Sequence, residues 1–202
     1  MQIIDISKDI TCCELYPGDP PVLIETVQSI ADGCDCNLSA IYTGLHNGTH
    51  ADAPLHFLDG GDSIEKAELR VFLGECHVIE VPPGAITGEY VNRCFPEKAE
   101  RILVKSGGRA WFMESAAEEL AFSGVRLIGT DALSVGTAGA QQETHVAFLR
   151  ENVAILENLE LEHVKPGRYF LAAQPLKIGG AEAAPVRAVL LADYVFWSGS
   201  KA

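Results

Sequence analysis

The chain has 202 residues, 48% of them hydrophobic and 21% charged, with a formal net charge of -13. Ordinary globular composition at this length fits a single domain over 1–202 with one sizeable core. So acidic a surface repels phosphate backbones and anionic lipid, which argues against nucleic acid and membranes as partners, and no window approaches the roughly 18 consecutive apolar residues of a spanning helix.

Short apolar runs bounded by Gly, Pro or Asp predict strands at 2–6 (QIIDI), 22–27 (VLIETV), 76–82 (CHVIEVP), 101–106 (RILVKS) and 125–130 (VRLIGT). Further strands are expected at 168–174 (RYFLAAQ) and 186–192 (VRAVLLA), and VAIL before Glu157 reads as another, ending in an acid. Helices are expected at 113–124, which is rich in Ala and Glu with a Gly stop, and at 141–151 (QQETHVAFLRE), with a turn or two at 87–95. Strands dominate with helices interleaved, which predicts an α/β domain with a mixed sheet and flanking helices. The opening MQIIDISKDI has no basic region followed by an apolar one, so the cytoplasm is the expected compartment. The cysteines at 12, 13, 34, 36, 76 and 94 fit no zinc-knuckle spacing and are expected to be reduced thiols.

The stretch LHNGTHADAPLHF, Leu45 to Phe57, carries His46, His50, Asp52 and His56 within thirteen residues. Imidazole and carboxylate are the nitrogen and oxygen ligands of zinc and its neighbours. Gly48 lets the backbone bend so that near ligands converge, and Pro54 stiffens the path to His56. His46 and His50 are four apart, but the Asn-Gly between them makes a poor helix, so the zinc-protease motif does not apply. A metal held by near neighbours needs donors from elsewhere. His145, in the second predicted helix, and Glu157, at the end of VAIL, are candidates that local grounds leave open between ligand and structural roles. His77 in a strand and His163 in a charged turn read as structural. Asp131 is open between supporting a histidine and forming a turn. Arg187 reads as a structural ion pair, and Trp111 and Trp197 read as core or interface aromatics.

HNGTHADAPLHF resembles the H-x-G-T-H-x-D-x-P-x-H-F signature of the metal-dependent cyclase/hydrolase family, closest to its bacterial kynurenine formamidase branch. YPGDPP (16–21), IGTDALSV (128–135), ILENLEL and PLKIGGAEAAPVRAVLL (175–191) resemble further segments of that family in the right order, so the resemblance covers nearly the whole chain. It implies the family's swivelling β/β/α domain. It implies two divalent ions per chain, zinc or else manganese, held by His46, His50, Asp52, His145 and Glu157, with Asp52 and Glu157 shared. His56 is then the acid/base rather than a ligand, Tyr16 lines the substrate pocket, and the chain forms a homodimer or homotetramer. A departure is GTAGAQQ after Val135, where family members often carry an aspartate; this region and Lys105 are expected to shape the pocket.

Two ions sharing a water make hydroxide available near neutral pH, and such a centre hydrolyses an amide, lactam or ester. The expected reaction is release of formate from an N-formyl aryl amide such as N-formylkynurenine. The alternatives are an isatin-like cyclic substrate or a lactone, and, in another class, a non-catalytic metal-binding scaffold. Retention of His56 argues for catalysis, because a purely structural site closes its coordination and needs no free base.

Overall fold

The computed structural model describes residues 1–194. Trp197 lies outside the described residues. In chain order the elements are β1 (Gln2–Asp5), β2 (Leu23–Gln28), β3 (Leu38–Tyr42), β4 (His50–Asp52), β5 (Leu73–Glu80), β6 (Gly84–Ile86), α1 (Gly88–Cys94) and β7 (Arg101–Lys105). They continue with β8 (Ala110–Phe112), α2 (Glu114–Phe122), β9 (Leu127–Thr130), α3 (Gln141–Arg150), β10 (Ala154–Glu157), β11 (Gly167–Ala172), β12 (Ala183–Pro185) and β13 (Val189–Ala192). The expected mixed sheet with flanking helices is what forms. Among the described residues no helix is long and apolar enough to cross a membrane.

Nine strands make one sheet in the order β1-β13-β11-β5-β7-β9-β10-β4-β12. The run β5-β7-β9-β10 is parallel and the outer pairs are antiparallel. The sheet curls. Only residues 186–188 separate β12 from β13, which lie towards opposite ends of the strand order, and Val186 N donates to Thr49 O beside β4. The chain leaving β1 crosses the same gap, where Ser7 bridges Leu159 and Lys8 N donates to Thr49 Oγ1.

Curling gives the sheet two apolar faces, which is why β7, β9 and β10 read as continuous apolar runs rather than alternating ones. Leu103, Leu127 and Leu156 point into the concave side with Ile6, Val78, Leu171 and Leu190. Their neighbours Ile102, Val104, Ile128 and Ile155 point outward against α1, α2 and α3 through Val91, Ala116, Ala117, Leu120, Phe148 and Leu149. Burying each such side chain contributes roughly 1.5–3 kcal/mol. α1 starts where Thr87 accepts from Tyr90 N.

The structure departs from the sequence reading at β3, β4, β6, β8 and β12, none of which is predicted as a strand, and at residues 186–188. His50–Asp52, expected in a loop, is a strand, because β10 and β12 flank it and pair with all three of its residues. Residues 186–188, expected in the last strand, instead make the crossing between β12 and β13. β3 was not expected at all; it pairs with β2 in a separate two-stranded arm, so its side chains do not show a buried-face pattern.

Candidate metal centre

β4 is short, but it sets the geometry. His50 and Asp52 are two apart on a strand and face the same way, while Ala51 points into the concave core. Glu157, on the adjacent β10, stands opposite His50 in the register, so its carboxylate joins them on the outer face. α3 packs over that face through Phe148 and Leu149, and one turn earlier it lowers His145 onto Glu157. His46 reaches in from the turn before β4, where Gly48 adopts a left-handed φ of 66° with Ile10 against its Cα. His56 enters from a single 3-10 turn, Pro54–His56, started by the proline.

The six side chains converge. His46 Nδ1 is 3.1 Å and His50 Nε2 3.4 Å from Asp52 Oδ1. His50 Nε2 is also 3.4 Å from Glu157 Oε2, and His145 Nε2 lies 3.1 Å from Glu157 Oε1 and 3.6 Å from Asp52 Oδ2. The donor atoms form two sets that share Asp52: His46, Asp52 and His56, and His50, Asp52 and Glu157. The His56 ring lies 4.2 Å from that of His46 and 5.7 Å, edge-on, from that of His145, and Phe57 packs against both His56 and His145.

Hydrogen bonding fixes which nitrogens are offered. His50 Nδ1 is 2.9 Å from Gly48 O and His145 Nδ1 is 2.8 Å from Gln141 O. A carbonyl can only accept, so each Nδ1 carries a proton and each Nε2 is the nitrogen turned towards the carboxylates. Backbone contacts of this kind fix the tautomer and orientation of metal-ligating histidines.

Burial and charge show what the site needs. The Asp52 side chain is 0% exposed, and neither of its oxygens has a hydrogen-bond partner among the described residues. An isolated carboxylate so placed is severely penalised, and buried charges are paired or coordinate metals. Burial alone would lower the His50 pKa, but Asp52 and Glu157 outweigh it and hold it up at about 10. Burial and the neighbouring Asp52 would raise Glu157, yet His145 and His50 bring it down to about 2. Burial would raise Asp52 as well, but His46 and His50 hold it well below the usual carboxylate range. His145 is raised: the effect of burial is overcome by Glu157. His56 goes the other way, lowered chiefly by burial. Two buried carboxylates draw positive charge, as protons on imidazole or as a cation between the ligands. Nitrogen and oxygen donors at these distances fit a divalent ion of the zinc class.

Other residues fall outside the centre. Tyr16 lines a separate cleft of about 930 Å³ with Lys105, Arg109, Trp111 and Ser134, and none of the six converging side chains faces that cleft. Lys105 does border a pocket, but its Nζ is held by the carbonyls of Glu162 and Val164. Asp131 supports no histidine; it caps a glycine turn, accepting from Ser106 N and Oγ, Gly107 N and Gly108 N. Arg187 pairs with Asp5, as expected for a structural role. His163 meets the Asp5 carbonyl, and His77 lies along β5 away from the site. All six cysteines are free. The sequence reading overlooked Glu182, whose Oε1 lies 3.6 Å from His46 Nε2. Nothing around that lone acid in GGAEAAP marks it; only the pairing of β12 with β4 brings it to the site.

The Cyclase family model matches residues 4–137. The kynurenine formamidase of Delftia acidovorans is 39% identical over 201 residues, covering 93% of this chain and 96% of that relative. That of Sphingopyxis alaskensis is 36% identical over 203 residues, covering 94% and 97%. Among solved structures, a metal-dependent hydrolase from Bacillus stearothermophilus superimposes with a TM-score of 0.76 at 28% identity, covering 94% of this chain and 97% of its own. Isatin hydrolase A from Labrenzia aggregata shares the fold, with a TM-score of 0.79 at 19% identity, covering 94% of this chain and 93% of its own.

Proposed function

We propose that this chain, which belongs to the Cyclase family, is a metal-dependent hydrolase that cleaves an N-formyl aryl amide such as N-formylkynurenine, releasing formate and an aryl amine. The kynurenine formamidases it resembles end to end favour that substrate over an isatin-like ring or a lactone. The observation that carries the chemistry is the Asp52 carboxylate, fully buried, without a hydrogen-bond partner among the described residues and ringed by imidazoles.

Asp52 has His46 and His50 beside one oxygen and His145 beside the other, and Glu157 has His50 beside one oxygen and His145 beside the other, an arrangement that supports two ions per chain sharing both carboxylates. We assign His46, His50, Asp52, His145 and Glu157 as the ligands, with zinc the expected metal and manganese the alternative. Bound there, the metals supply a Lewis acid for the carbonyl and lower the pKa of water. Glu157 is held for its part by the backbone: Val135 N donates to Oε1 at 2.7 Å, which fixes the carboxylate between His50 and His145.

His56 differs from the ligands. Among the described residues its ring, like that of His46, carries no backbone hydrogen bond of the kind on His50 and His145, and its pKa moves in the opposite direction to theirs. Burial lowers its pKa, so the ring is neutral at pH 7 and can take a proton from water. It then passes that proton to the leaving nitrogen, which departs as the amine. Phe57, edge-on to His56 at 4.3 Å, shields one side of the ring from solvent. Tyr16 lines the neighbouring cleft, and a substrate role for it requires the substrate to extend past the loop at 133–141.

The partner we propose is a second copy of this chain. The β2–β3 arm is a lone two-stranded sheet, a unit only marginally stable by itself in water. It exposes Leu23, Ile24, Val27, Leu38, Ile41 and Tyr42, too much apolar surface for an arm without a cover.

The direct test of the activity is to load the purified chain with zinc or manganese and assay N-formylkynurenine, isatin and a simple lactone side by side. The reading expects the formamide to turn over fastest. Hydrolysis of isatin alone would shift the assignment to the cyclic substrate, and metal binding without any turnover would favour the scaffold.

A further inference from the structure

The ligand histidines are not all held alike. His50 and His145 each have one nitrogen tied to a backbone carbonyl and the other facing the carboxylates. His46 has no such tether. Its Nδ1 faces Asp52 at 3.1 Å, and its Nε2 is buried without a hydrogen-bond partner among the described residues. The acid nearest that nitrogen is Glu182, with Oε1 at 3.6 Å. Glu182 sits just before β12, and its own backbone carbonyl accepts from Ala53 N, one residue past β4. The same strand pairing that fixes Asp52 therefore fixes where the Glu182 side chain starts. That side chain is 41% exposed and has no other hydrogen bond or ion pair among the described residues. A free carboxylate at the rim of a metal site is otherwise unexplained.

We propose that Glu182 is the positioning residue for His46: its carboxylate accepts from Nε2–H and so presents the Nδ1 lone pair to the metal shared with Asp52. This inference rests on the metal-centre reading above. A gap of 3.6 Å is longer than a hydrogen bond, and a small side-chain rotation closes it. The arrangement is the carboxylate–histidine–metal relay, in which the outer acid both orients the ring and increases its basicity. An anionic acceptor also makes His46 a stronger donor than the two histidines tied to neutral carbonyls. The site thus has two ligands oriented by the main chain and one oriented by an exposed side chain at its mouth.

The test compares the zinc-loaded wild type with Glu182→Ala and Glu182→Gln, using a chromophoric chelator to read how tightly each zinc is held. Cobalt-substituted samples of all three supply a visible spectrum of the ligand field. The expected result is that E182A holds one of its zincs roughly ten- to a hundredfold more weakly and shifts the cobalt spectrum. E182Q, whose amide oxygen still accepts from Nε2–H, should recover most of the affinity. Equal zinc affinity and unchanged spectra in E182A overturn the inference while the metal centre stands. Loss in E182Q as deep as in E182A also overturns it, because Glu182 would then act as a ligand. A wild type that takes up no zinc at all overturns the metal reading itself. Melting curves of the three metal-free proteins are expected to coincide, which separates loss of ligand support from loss of fold.

Discussion

Two regions bury an aspartate, and the chain treats them in opposite ways. At the end of β9, Asp131 is met by three backbone N–H groups and a hydroxyl, all from the Ser106–Gly108 turn. Gly107 and Gly108 take left-handed φ values of 66° and 72° to aim those donors. On β4, Asp52 is more deeply buried, and among the described residues no backbone N–H or hydroxyl meets it, only imidazole nitrogens at 3.1–3.6 Å. The first carboxylate is complete within the fold. The second is surrounded by imidazoles and another carboxylate, so what satisfies it must be a proton on a neighbour or a cation from outside. Satisfaction, rather than burial, separates a structural acid from a functional one.

The largest effect is expected at His56. His56→Ala should lower turnover by roughly 10²–10⁴-fold while metal content stays unchanged. Loss of metal in that variant would make His56 a ligand and leave the centre without a base.

Next is the pH dependence of metal binding. With a folded pKa of about 10 against an ordinary 6.5, His50 stabilises the metal-free fold fully below pH 6.5 and loses that contribution as pH rises towards 10. Glu157, lowered from 4.5 to about 2, contributes above pH 4.5 and loses its contribution as pH falls towards 2. The metal-free protein should therefore be most stable between about pH 4.5 and 6.5. Metal uptake must displace the His50 proton, so its apparent affinity should rise up to tenfold per pH unit from neutrality towards pH 10. Calorimetry in buffers of different ionisation enthalpy counts the protons released; none released would contradict the assignment.

The two aspartates can then be set against each other by melting with and without zinc. Asp131→Ala strands four donors and should cost about 2–4 kcal/mol in both forms, at about 1 kcal/mol per bond. Asp52→Asn should instead remove the added stability that zinc gives the wild type, about 2.7 kcal/mol at a hundredfold excess over Kd. Equal behaviour of the two variants would erase the distinction. The smallest effect on the site is expected from the arm. Replacing Ile24 and Ile41 with Ser should shift the chain to monomer in sedimentation, with metal content unchanged; an unchanged assembly would place the interface elsewhere.

Much of the candidate centre was legible because its side chains near β4 are neighbours in sequence. Residue type and spacing mark His46, His50, Asp52 and His56, and the long apolar runs mark the strands buried on both faces. Glu157 could be proposed as the acid ending VAIL, but its pairing with His50 spans more than a hundred residues and has no local signal. The same limit hid the strand at His50–Asp52, which exists only because two distant strands flank it, and Glu182, which arrives on one of them. Asp131 could not be told from a metal-supporting acid until the donors around it were seen. The arm was half visible: VLIETV reads as a strand, but its partner LSAIY is exposed throughout and carries no buried-face pattern.

The most direct test is metal stoichiometry by elemental analysis of the wild type and Asp52→Asn, each loaded with zinc and freed of excess. Two zincs per chain are expected in the wild type and loss of both in the variant, since one carboxylate serves both positions. Two zincs retained by Asp52→Asn, or none bound by the wild type, would contradict that expectation.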